Sequence, residues 1–64
     1  MDAMQALEYV KNTLGTGRKC ADFLGYTETH INAFLRGRKK IPKRTASYII
    51  FKAEQLKKEQ NANG

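Results

Sequence analysis

Glu28, Thr29, Asn32, Ala33 and Arg36 recur at three- and four-residue intervals, a spacing that gathers them on one side of a helix. Short polar side chains with a cation at the margin are what an exposed helix needs to read base edges. The major groove of B-DNA admits an α-helix and shows a distinct donor and acceptor pattern for each base pair. Asn32 can donate to adenine N7 while accepting from its N6 amino group, and Glu28 can accept from a cytosine amino group. Glu28 equally suits the first turn of a helix, where acids offset the macrodipole, and the two roles are compatible. Thr29 can donate to a base or a phosphate, and its methyl can meet that of thymine. Ala33 presents only a methyl, which permits close approach. Arg36 can reach guanine or, near the helix C-terminus, hold a phosphate.

Charge points to a polyanionic partner. Twelve Lys and Arg against six Asp and Glu give a formal +6 on 64 residues. Half of these cations, Arg36, Arg38, Lys39, Lys40, Lys43 and Arg44, fall within nine residues that contain no acid. Such a run often forms only a solvated face, but this one begins at the end of the candidate reading helix. Thr16, Arg18 and Lys19 lie at the start of the preceding helix, where free backbone N–H groups suit a phosphate. His30 falls between the core side and the exposed side of the reading helix, and is either partly buried or phosphate-facing.

Four helices are expected to position these groups. Asp2 and Gln5 have the spacing of a capping box, so a first helix starts near Ala3 and stops at Gly15. Leu7, Val10 and Leu14, with Met4 beside them, form its inward stripe, and Tyr9 falls on the other side. Thr16 caps a second helix over roughly Gly17 to Leu24, with Cys20, Ala21 and Leu24 inward and Phe23 partly covered. Gly25 supplies a turn residue that accepts positive φ, and Ala21 lets the two helices cross closely. Thr27 caps a third helix, about Glu28 to Arg36, whose Ile31, Phe34 and Leu35 face inward. Gly37 ends it, and Ile41 folds back as a core anchor. Pro42 then leads into a fourth helix, about Lys43 to Lys58, closed on the core by Ala46, Ile49, Ile50, Ala53 and Leu56. Tyr48 and Phe51 sit roughly opposite that stripe. Either the helix buries more of its circumference, or these aromatics form a subunit contact.

The pattern Ala21, Leu24-Gly25, Ile31 and Phe34, with the stretch GYTETHINAFLRGRKKI, resembles the helix-turn-helix of the phage Cro and repressor (lambda-repressor-like) proteins. The likeness covers about residues 14 to 44. It implies base-facing positions for Thr27, Glu28, Thr29, Asn32, Ala33 and Arg36. Some Cro-type proteins follow this motif with β-strands, whereas IPKRTASYIIFKAEQLKKE reads as helical, so an all-α arrangement is expected.

The expected fold is therefore all-α: a compact helix-turn-helix domain of four helices (three to five), with a longer C-terminal helix. Residues 1–58 form one DNA-binding domain and 59–64 a disordered tail. The expected function is sequence-specific transcriptional regulation, in the manner of a small phage or mobile-element repressor. The partners are double-stranded DNA, at a palindromic operator, and a second copy of the chain through Tyr48 and Phe51. The competing expectation is a small basic protein that docks on and inhibits an acidic protein partner.

Other classes find little support in the residues. One Cys and one His cannot supply the four ligands of a structural zinc site, and one Cys cannot form an internal disulfide. Cys20 lacks a companion nucleophile system and fits a small buried apolar role. No paired carboxylates or phosphate-cradling loop suggest an enzyme, and no metal, cofactor or small-molecule ligand is expected. No apolar run reaches the length of a membrane span, and the N-terminus has no leader pattern, so a cytoplasmic location is expected.

Overall fold

The computed structural model describes residues 1–62 and is all-α: α1 is Ala3–Leu14, α2 Gly17–Leu24, α3 Glu28–Leu35 and α4 Lys43–Ala62. The boundaries follow from side chains that satisfy orphan backbone groups. Asp2 and Gln5 form the reciprocal box that starts α1: Asp2 Oδ1 accepts from the Gln5 N–H at 2.8 Å, and Gln5 Oε1 accepts from the Asp2 N–H at 3.1 Å. Thr16 Oγ1 accepts from the Lys19 N–H and Thr27 Oγ1 from the His30 N–H, each at 3.1 Å, which starts α2 and α3. At α4 the Pro42 carbonyl accepts the Ala46 N–H at 2.7 Å, and Pro42 has no N–H of its own to leave unpaired.

The stop between α2 and α3 is the tightest. Gly25 adopts φ 81° and ψ 26°, in the left-handed region. There the Tyr26 N–H reaches the Ala21 carbonyl at 2.9 Å and the Gly25 N–H reaches the Asp22 carbonyl at 3.3 Å, a Schellman closure. Gly37 repeats the device after α3, with φ 74° and the Arg38 N–H on the Ala33 carbonyl at 2.9 Å.

One apolar cluster joins all four helices. Leu7 and Val10 from α1, Cys20 from α2, Ile31 and Phe34 from α3 and Ile49 from α4 are fully buried or nearly so. α4 lies chiefly along α1, α2 crosses α3, and α1 packs against both members of that pair. Ala21 is buried at the crossing, where its small side chain allows close approach. Ile41 packs against the cluster from the loop before α4, as its apolar character suggests.

Four details differ from the sequence expectations. Tyr9 is half-buried against the core and does not stand on the far side of α1, because the stripe is widened by Ala6, which is fully buried. Met4 and Leu14 are only half-buried. α3 ends at Leu35, with Arg36 as its cap in the right-handed region. Finally, α4 continues four residues past the expected end at Lys58, so 59–62 are helical and not a disordered tail, while 63 and 64 lie outside the described residues. KKEQNA contains strong helix formers and neither Gly nor Pro, so propagation costs little once α4 is nucleated on the core.

The glycines provide a direct check. A Cβ at Gly17, which lacks positive φ, would meet its nearest neighbour at 3.5 Å, ordinary van der Waals contact. Gly17→Ala should therefore stabilise by about 0.4–1 kcal/mol through the unfolded chain. Gly25→Ala should destabilise by about 1–2 kcal/mol from left-handed strain alone. Urea unfolding of both variants measures the contrast, and equal effects would contradict it.

Candidate nucleic-acid interface

α3 presents its inner side, Ile31 and Phe34, to the core and its outer side to solvent. Glu28, Thr29 and Arg36 are exposed, as is the cap Thr27, whose Oγ1 is engaged by the His30 N–H. Asn32 and Ala33 are half-buried. The residues chosen from helical spacing thus share one sector, but not with equal freedom.

The reason for Asn32 lies in its neighbours. Its Oδ1 is 3.5 Å from the point where a Cβ on Gly17 would stand, and Glu28 Oε2 is 3.7 Å from the same point. Both side chains therefore lean toward the N-terminus of α2, whose first residue offers no side chain of its own. Asn32 also lines a groove of about 370 Å³ between α1 and α3, together with Glu8, Lys11, Asn12, Leu35 and Arg36. Thr29 is exposed on the outer side of α3, and Arg36 is exposed while lining the rim of this groove. The Ala33 carbonyl accepts from both the Arg38 and Lys39 N–H groups, which holds the chain that follows α3 against the end of the helix.

His30 occupies the other flank. Its ring is half-buried between Tyr26, at a centroid distance of 5.3 Å, and Phe34, at 4.9 Å. The Lys39 ammonium lies 3.4 Å from His30 Nε2. An ammonium has only donors, so the imidazole nitrogen accepts in this contact. The pair ties the loop after α3 back onto the helix.

The cationic groups flank this surface at both ends. Thr16, Arg18 and Lys19 are exposed at the α2 N-terminus, and Thr16 Oγ1 is occupied as acceptor while its hydroxyl proton is free to donate. Arg36, Arg38, Lys39, Lys40, Lys43 and Arg44 are all exposed in one continuous segment. Schellman closure at Gly37 turns that segment out of α3 immediately after the last turn.

No family model, no curated protein and no solved structure matches the chain.

Tyr48 and Phe51 separate in the structure. The Tyr48 hydroxyl donates to the Leu24 carbonyl at 2.9 Å, and its ring meets Tyr26 edge-on at 6.3 Å. Tyr48 is 39% exposed and holds α4 to the end of α2, a role that sequence spacing did not reveal. Phe51 is 61% exposed and faces outward beside Glu54, Gln55, Lys57 and Lys58. The neighbouring Lys52 turns the other way and places its ammonium 4.4 Å from the Phe23 ring centroid.

Sequence spacing gives Lys11 and Asn12 no evident chemistry. They fall on a helix whose dominant signal is its apolar stripe, and only the packing of α1 against α3 brings them beside Asn32 and Arg36. Among the described residues, no group of three or more His, Cys, Asp or Glu side chains could hold a metal ion, and no helix is long and apolar enough to cross a membrane.

Two measurements follow from this geometry. Tyr48→Phe removes one hydroxyl and leaves the ring in place, so a loss of about 0.5–1.5 kcal/mol in urea unfolding is expected. An unchanged midpoint would show that water serves the Leu24 carbonyl equally well. Cys20 is fully buried, and burial pushes its thiol pKa up, while the charge of Lys11 pulls it partly back down. The unfolded chain therefore ionises first, and stability present below the ordinary thiol range falls as pH rises through about 8.5. Urea midpoints should drop between about pH 7 and about pH 9.5 more for the wild type than for Cys20→Ala.

Proposed function

We propose that the protein is a sequence-specific regulator that binds duplex DNA through α3. The observation that carries this is the Gly25-pivoted pair α2 and α3, with Glu28, Thr29 and Arg36 exposed and an uninterrupted exposed cationic segment following at once. In this role α3 enters the major groove. Thr29, Arg36, Asn32 and Glu28 meet base edges, Ala33 permits close approach and Thr27 stands at the helix entrance. Thr16, Arg18, Lys19, Arg38, Lys39, Lys40, Lys43 and Arg44 hold the two phosphate strands, and His30 positions Lys39 for the same task.

One such helix reads only a few base pairs. A homodimer on a palindromic operator, with half-sites about one DNA turn apart, supplies the remaining specificity. Phe51 is the better candidate for the subunit contact, since Tyr48 is already engaged within the chain. Repression by occluding the polymerase is the simplest mechanism for a protein acting alongside cytoplasmic DNA, and the resemblance to Cro and repressor proteins agrees with it. No catalytic chemistry is part of the proposal.

The half-burial of Asn32 favours a second proposal, docking on an acidic protein partner, which uses the cationic segment and gives Asn32 no part. Selection from a random duplex pool separates the two. Recovery of a single symmetric site supports DNA reading, and recovery of no preferred sequence defeats it. On the selected site, Asn32→Ala should cost about 1–3 kcal/mol and leave binding to scrambled duplex almost unchanged. Lys40→Ala should weaken both equally and reduce the salt slope by about 1.

A further inference from the structure

The groove between α1 and α3 has a composition that the reading surface does not account for. Two cations reach it from different helices, Lys11 from α1 and Arg36 from α3, and two carboxamides, Asn12 and Asn32, lie with them. Leu35 supplies the apolar floor, and Glu8 is the only acid lining it. Glu8 lies one helical turn before Asn12, so Lys11 and Asn12 are nearer the end of α1 that leads through Gly15 and Thr16 into α2. Asn32 belongs to this groove, and its Oδ1 also lies 3.5 Å from where a Cβ on Gly17 would stand, with Glu28 Oε2 3.7 Å from the same point. Asn32 thus stands between the groove and the α2 N-terminus, where Thr16, Arg18 and Lys19 are exposed.

We infer that one strand of the DNA duplex continues from the α2 N-terminus into this groove, where Lys11 and Asn12 bind its phosphates. The inference rests on the proposed DNA reading and adds to it a helix that otherwise only supports the core. Phosphate contacts from Arg and Lys, and from the carboxamides of Asn and Gln, fix the register of a protein on a duplex without carrying sequence information. Lys11 and Asn12 are therefore positioning residues. They hold the backbone at a set distance from α1, and so set the depth at which α3 meets the bases. Asn32 lies at the junction, between the strand and the base edges. Glu8 limits the track: its carboxylate repels phosphate and directs the strand toward the α2 end of the groove.

Lys11 also lies in the last turn of α1, where any cation offsets the helix dipole. The test therefore needs variants that distinguish a phosphate contact from helix support and from a general loss of charge. Lys11→Met keeps the aliphatic stem that packs and removes only the ammonium. Lys57→Met removes the same charge from the exposed face of α4 beside Phe51, away from the groove, and serves as the control. Asn12→Ala removes a contact with no change in net charge, and Glu8→Gln removes the repelling acid.

Binding to the selected duplex and to a scrambled one is measured across a salt series, with thermal unfolding of each variant alongside. Lys11→Met should lower the salt slope by about 1 beyond the change in Lys57→Met. Asn12→Ala should weaken both duplexes by a similar factor, and Glu8→Gln should tighten both. If Lys11→Met and Lys57→Met have the same slope, or Glu8→Gln leaves both affinities unchanged, the groove carries no strand, and the reading by α3 stands. A wild-type protein that binds neither duplex overturns both. An affinity loss in Lys11→Met that tracks a lowered unfolding temperature, with the slope unchanged, assigns Lys11 to helix support and also overturns the inference.

Discussion

The orientation of the outer face of α3 depends on how the last carbonyls of α2 are satisfied. A helix leaves its final carbonyls without intrahelical partners, and each must find a donor or face water. Here the Ala21 carbonyl takes the Gly25 and Tyr26 N–H groups, Asp22 takes Gly25 as well, and Leu24 takes the Tyr48 hydroxyl. The first three bonds come from the turn residues Gly25 and Tyr26 and fix the direction in which the chain leaves α2. The fourth comes from the distant α4 and fixes that turn against the rest of the molecule. With all in place α3 has one orientation, and its outer face has one outlook.

A chain of 64 residues has little core to spare for this purpose. Small domains bury a smaller share of their surface than large ones, so local terms weigh more in their stability. The caps at Asp2, Thr16 and Thr27 are therefore substantial contributors. Each ties one orphan N–H to a side-chain oxygen, and an interaction of this kind is worth on the order of 1 kcal/mol. The buried set itself mixes large groups, Phe34, Leu7 and Ile31, with the small Ala6, Ala21 and Ala53 where helices approach closely. Among the described residues every buried side-chain nitrogen or oxygen has a partner, so the core carries no unpaired polar group.

On the flank of α3 opposite the groove, aromatic rings join three segments. Tyr26 from the turn meets Phe34 edge-on at 6.4 Å and Tyr48 at 6.3 Å, and His30 lies against both Tyr26 and Phe34. Edge-to-face pairs are directional as well as apolar. The cluster therefore orients what it joins, and through the 3.4 Å contact of Lys39 with His30 it extends that order into the cationic segment. A cation near a phosphate strand is more effective when its position is fixed beforehand, because less side-chain freedom is lost on contact.

Much of this was legible in the amino-acid order because its causes are local. Asp2, Thr16, Thr27 and the glycines at 15, 25 and 37 act within four or five residues, so the sequence alone determined where the first three helices begin and, to within one residue, where they end. The period of apolar residues likewise determined which face of each helix turned inward, and composition determined the cationic segment. Tertiary packing decided the rest. Asn32 and Ala33 belong to the same outer sector as Glu28 and Thr29 by spacing, but both are half-buried, Asn32 in the groove beside α1. Tyr48 and Phe51 look alike in spacing, but only Tyr48 meets a carbonyl that needs a donor. Which side chain finds which distant partner depends on the angles at which helices cross. Those angles arise from the whole set of packed side chains and from no single stretch of chain.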